Sequence, residues 1–232
     1  MRFIVGVREP VSLAISYHTY ATRAQAAGKS AREILGRLQR HWAAALQTLK
    51  TCDAAHGGGL LVLRQQQQQP PAMRSMPTPA HRAYVACLSA ADRSTSGSVG
   101  HTSGGLYALK LSSFLRNGFE GPQFMLVPTT ALSHAEPLAR ALAAFLELPL
   151  RAAQAPSVSQ HCTARRNAQR ETFGADRMQK PAFYHEARNS SEGARLAAFF
   201  EPHSRALLQM IGAHGVRTAG PTEEVARELG VG

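Results

Sequence analysis

At 232 residues the chain has the length of one domain, or of one domain with tails, and its 44% hydrophobic content supplies enough apolar material for a core. No run of 18 or more apolar residues occurs, so no membrane-spanning helix is predicted, and the N-terminal apolar run, Phe3–Val7 before Arg8-Glu9, is too short and too quickly charged for a signal peptide. The formal charge is +11, with 22 of the 26 basic residues being Arg, which suits an anionic glycan, a phosphorylated cofactor or another polyanion. The arginines are scattered rather than gathered in a block, and only 6% of residues are aromatic, so no specific nucleic-acid interface is predicted.

The apolar start Phe3-Ile4-Val5-Gly6-Val7 predicts a strand over residues 2–7, buried on both faces in a parallel sheet. Pro10 suits the first turn of a helix over 10–22, where its missing N–H costs nothing. Ser30-Ala31-Arg32-Glu33 has the spacing of a capping box. Ile34, Leu35, Leu38, Trp42, Leu46 and Leu49 then follow at helical spacing, and this helix is expected to end near Cys52. Leu60 to Leu63 suits a short strand, and Gln65 to Pro79 predicts a low-complexity insertion at about 64–80, with a second flexible segment at about 93–104.

Helical spacing returns from Leu106 to Leu115, with Gly118 as a stop, and Gln123 to Val127 reads as a second buried strand. Glu136 to Leu146 reads as a helix closed by Leu148-Pro149. Residues 151–181 are basic and loop-like, Arg195 to Ile211 form a further helix, and 216–232 read as a C-terminal tail after a domain over 1–215. Strands alternating with helices predict an α/β domain with a parallel sheet. Cys52, Cys87 and Cys162 are too few for a disulfide framework; one disulfide with a free thiol, or three thiols, both fit.

Arg8 falls at the carboxyl end of the first strand, where ligands collect in open α/β sheets, and Ser16 falls two turns into the following helix. A guanidinium fork and a hydroxyl suit a phosphate, although an Arg closing a sheet edge and a solvent-facing Ser fit the same pattern. Gly28-Lys29-Ser30 is not a phosphate loop, because Arg23 stands where its first glycine is needed; it reads as the start of the capped helix. His161 and Cys162 have no companion pair at metal-ligand spacing, so no metal is expected.

The run from Phe3 to His18, with Arg8-Glu9-Pro10 and Ser16 eight positions after the Arg, resembles the 3′-phosphate-binding segment of sulfotransferases that use 3′-phosphoadenosine 5′-phosphosulfate (PAPS), closest to the Golgi carbohydrate enzymes. Three later stretches resemble the same family in order: Gly105-Leu106-Tyr107 with Leu111 and Phe114, Phe145-Leu146-Glu147-Leu148-Pro149, and Leu196 with Phe199-Phe200-Glu201-Pro202. The resemblance implies a three-layer, P-loop-like α/β fold, PAPS as sulfuryl donor without a metal, a carbohydrate or other anionic glycan as acceptor, and the Golgi lumen. It implies that Arg8 and Ser16 hold the 3′-phosphate. Lys180 stands near the family's cofactor-lid lysine, where Pro181 and Ala182 replace the usual Gly and Arg, and Arg165 and Arg166 are substitutes for that lid.

The catalytic residues are unknown. The family's phosphate-cradling loop, with its Lys, precedes the first strand and is not in these residues, so little or no transfer activity is expected of this polypeptide alone. His18 is a weak candidate for the base. A degenerate, non-catalytic relative and a basic polyanion-binding module are the alternatives.

Overall fold

The computed structural model describes residues 1–21, 26, 28–56, 79–94, 102–149 and 172–231. Its elements in chain order are β1 (Phe3–Val7), α1 (Pro10–Ala21), α2 (Ala31–His56), α3 (Pro79–Ser94), α4 (Tyr107–Arg116), β2 (Phe124–Pro128), α5 (Ala135–Leu146), β3 (Thr172–Phe173), β4 (Met178–Gln179), α6 (Lys180–Asn189), α7 (Ser191–His214), β5 (Arg217–Thr218) and α8 (Thr222–Glu228). It is a mixed α/β protein in which helices predominate.

The sheet is small and parallel, in the order β1-β2-β5. Phe3 lies opposite Phe124 and Val7 opposite Pro128, so both strands end at the same edge. Alternation along β2 sorts two apolar clusters. Phe124 and Leu126 pack with Leu111 of α4, Leu207 and Ile211 of α7, and Val225 of α8. Met125 and Val127 pack with Leu138 and Phe145 of α5 on the other face. β2 is buried throughout, as a central parallel strand should be. β1 departs from the expected two-sided burial: Val7 is fully buried, but Ile4 is 47% exposed and Gly6 is also exposed. The cause is position, since β1 lies at an edge of the sheet.

A larger, mainly helical cluster joins α1, α2, α3, α4, α6 and α7 around Leu38, Trp42, Leu49, Tyr84, Phe183 and Phe200. The capping box forms at the head of α2: the Glu33 carboxylate accepts from the Ser30 N–H at 2.7 Å, and the Glu33 N–H donates to the Ser30 hydroxyl at 3.3 Å. Gly28-Lys29-Ser30 thus leads into a capped helix. A second cap comes from far along the chain, where Asp176 accepts from the Ala31 N–H at 2.8 Å and the Ala175 N–H donates to the Lys29 carbonyl at 2.6 Å. Asp176 sits in the β3–β4 turn, whose Gly174 has φ +76°; a Cβ there would lie 2.2 Å from the Ala31 nitrogen. Only glycine meets both conditions.

Several expected boundaries move. α2 runs on to His56 because the Cys52–Cys87 disulfide and α3 hold its last turn. α3 begins at Pro79, where a low-complexity insertion was expected; His81, Tyr84 and Leu88 recur at helical spacing and are buried. α6 starts with Lys180-Pro181 inside the expected loop, since proline is at home in a first turn. The expected tail 216–232 contains β5 and α8, anchored by Val225 (0% exposed) and Leu229 (4%). The short strand expected at Leu60–Leu63 and most of the low-complexity segment lie outside the described residues. Among the described residues, no helix is long and apolar enough to cross a membrane, and no group of three or more His, Cys, Asp or Glu could hold a metal ion.

The disulfide closes a loop with a sequence separation of 35, which limits the unfolded chain. Replacing both cysteines by serine is expected to lower stability by about 4 kcal/mol on the chain-entropy account, read as a fall in the urea midpoint.

A second prediction concerns pH. His81 is 5% exposed and its Nε2 lies 3.1 Å from the Ser113 hydroxyl. Burial first, and then the Arg116 guanidinium, push its pKa down from 6.5 to about 4. The unfolded imidazole takes a proton below about 6.5 while the folded one does not, so this contribution is complete above that pH and is lost as pH falls toward 4. Urea titrations across that window should show the decline, and a His81→Gln variant should flatten it.

Candidate functional site

The residues Arg8-Glu9-Pro10 carry the chain from β1 into α1. Pro10 has no N–H to satisfy, and the next two helix N–H groups, of Val11 and Ser12, donate to the Glu9 carboxylate at 3.0 and 2.7 Å. Glu9 therefore caps its own helix, and Nε of Arg188 in α6 lies 3.9 Å from Oε2, the oxygen that accepts from Ser12. Tyr107 fixes the residue before it: the Arg8 N–H donates to the Tyr107 hydroxyl at 3.1 Å, and that hydroxyl faces the Arg8 carbonyl at 3.3 Å. Burial raises the Tyr107 phenol to a pKa of about 12, so it stays protonated. With its backbone held, Arg8 directs its guanidinium toward the Tyr184 ring, 5.7 Å from the centroid.

The same neighbourhood requires Gly105. A Cβ there would stand 2.7 Å from Cβ of Pro10 and 3.0 Å from the Phe200 ring. Three segments distant in sequence meet at this glycine with no room for a methyl group.

A cavity of about 500 Å³ opens at the carboxyl ends of β1 and β2. Arg8, Glu9 and Ser12 line one wall, and Thr129, Thr130 and His134, which follow β2, line another. Arg188 from α6 and Glu224, Arg227 and Glu228 from α8 complete it. Glu228 joins the two strand ends: its carboxylate accepts from the Glu9 N–H at 3.3 Å, the Thr130 N–H at 3.2 Å and the Thr129 hydroxyl. The cavity thus presents guanidinium forks and hydroxyls that suit an oxyanion, with carboxylates beside them.

Of the residues expected from the sequence, Arg8 lies in the cavity. Ser16 is half-buried one turn further along α1 and is not in the cavity lining, where Ser12 stands instead. Lys180 is exposed at the head of α6 and approaches the same Tyr184 ring as Arg8, with Nζ 5.7 Å from its centroid. Arg165 and Arg166 lie outside the described residues, as do His161 and Cys162. His18 is 4% exposed and packs edge-on against His41, away from the cavity. The sequence pattern singled out none of Arg188, Arg227 and Glu228: Arg188 falls between the expected loop 151–181 and the expected helix from Arg195, and the other two fall in the expected tail. The signals were Phe183 with Ala187, and Val225 with Leu229, each pair four residues apart.

No family model matches the chain, and no match is found among curated proteins or solved structures.

Tyr107→Phe removes both contacts to the Arg8 backbone and keeps the ring. A loss of about 1–2 kcal/mol in urea unfolding is expected, since a half-buried N–H and C=O lose their partner.

Proposed function

We propose that the cavity binds a phosphorylated nucleotide through Arg8, and that the chain is part of a PAPS-dependent sulfotransferase with a three-layer, P-loop-like fold. The observation that carries this reading is the position of Arg8. It is fixed by Tyr107 at the carboxyl end of a parallel strand pair and lines a cavity of nucleotide size.

Two further observations support it. Pro10, Gly105 and Phe200, from three of the stretches that resemble the family, converge at the contact where no methyl group fits. Helices also pack on both faces of the parallel sheet. On this reading, Arg8 holds the 3′-phosphate of the donor. Ser12 is the cavity's hydroxyl on α1, while Ser16 serves only a ligand that reaches further along the helix. Sulfuryl transfer breaks the bond from sulfur to the adenosine phosphate oxygen and forms one to an acceptor hydroxyl or amine, which gives up its proton. Positioning and charge stabilisation dominate such a step. The acceptor class is a carbohydrate, by resemblance. The Cys52–Cys87 disulfide favours an oxidising compartment, in keeping with the Golgi lumen.

Calorimetry with adenosine 3′,5′-bisphosphate tests the reading. Micromolar binding is expected, weakened by about tenfold or more in Arg8→Ala and by a similar factor when the ligand lacks its 3′-phosphate. Binding that ignores both changes, or no binding by a folded sample, would overturn it.

A further inference from the structure

The Glu228 carboxylate is held by three neutral donors from two strand ends: the Glu9 N–H, the Thr130 N–H and the Thr129 hydroxyl. The residue is 9% exposed, yet among the described residues no Lys or Arg forms an ion pair with it. Backbone N–H groups converging from two loops, with a hydroxyl beside them, form a concavity selective for anions. Here the anion is the chain's own. It is delivered by α8, a helix of seven residues whose seat on the sheet rests mainly on Val225 and Leu229. Elements with so few buried contacts open at low cost relative to a core.

We propose that these three donors form a second oxyanion site in the cavity, for a phosphate or sulfate group, and that α8 closes it by seating Glu228 there. This inference rests on the reading of the cavity as an anion site and names how that site is gated. A ligand with one anionic group binds at Arg8 and leaves α8 in place. A ligand with two must replace the carboxylate, and the tetrahedral oxyanion then takes the two N–H groups and the Thr129 hydroxyl while α8 lifts. A carboxylate that stays seated repels the second anionic group, which is a barrier built from like charge.

The test compares wild type with Glu228→Gln, which keeps the shape and a hydrogen-bond acceptor but removes the charge. Adenosine 3′,5′-bisphosphate is titrated into each, with inorganic sulfate as the single-oxyanion probe. The bisphosphate should bind Glu228→Gln about tenfold more tightly than wild type. Sulfate binding should change by less. In wild type, saturating bisphosphate should speed amide exchange over residues 222–229, a measurement that does not depend on the variant folding. Arg8-dependent bisphosphate binding with no tightening in Glu228→Gln and with equal or slower exchange in α8 would overturn the gate and leave the cavity reading intact. No binding of either probe by wild type or variant would overturn both.

Discussion

The parallel pairing of β1 with β2 is the constraint on which the rest depends. It joins residues 3–7 to 124–128, so the whole intervening chain must cross over and return. It also brings two strand ends to one edge, each followed by backbone groups that no ladder satisfies. Every element around the cavity answers that need. The Glu9 side chain takes the first N–H groups of α1, Tyr107 takes those of Arg8, and Glu228 takes those after both strands. The polar cavity is the consequence of ending two strands together and capping them from elsewhere.

The helical core and the sheet core are separate clusters, and α4 and α7 contribute buried residues to both. At Gly105 the start of α1, the approach to α4 and the middle of α7 touch. Because Tyr107 stands two residues beyond, a displacement at this junction reaches the Arg8 backbone directly. The disulfide fastens α3 to the last turns of α2 within the same apolar cluster as Tyr84 and Trp42. Among the described residues the sheet side has no such fastening and relies on β2, which is buried along its whole length.

What was legible in the sequence was what apolar spacing alone decides. β2, α2, α5 and α7 carry large residues at clean intervals, and the structure places them within a few residues of expectation. α3, α6 and α8 were not legible because each is held by two or three buried residues in a polar or alanine-rich setting, and proline near each start looked like a break. Arg8 could be found because it ends a strongly apolar strand. Glu228 could not, because a glutamate near the end of a charged helix resembles any solvated one until the strand ends that it joins are in place. Ser16 illustrates the limit of spacing: eight residues after Arg8 fixes its height on α1, but the cavity takes the turn below.

Charge distribution separates a site from a sticky surface. A polyanion-binding module needs its arginines on one face, where their summed field does the binding. Here the excess of basic residues is a property of the whole chain, whereas the cavity sets Arg8, Arg188 and Arg227 against Glu9, Glu224 and Glu228. Such a cavity gains little from long-range attraction. On the proposed reading, its affinity for an anion comes from short, oriented contacts, a guanidinium plane here and a pair of N–H groups there, each already held by a neighbour. On that reading the arrangement rewards a ligand whose charges sit at fixed separation and penalises a flexible polyanion that brings the same charge without the geometry.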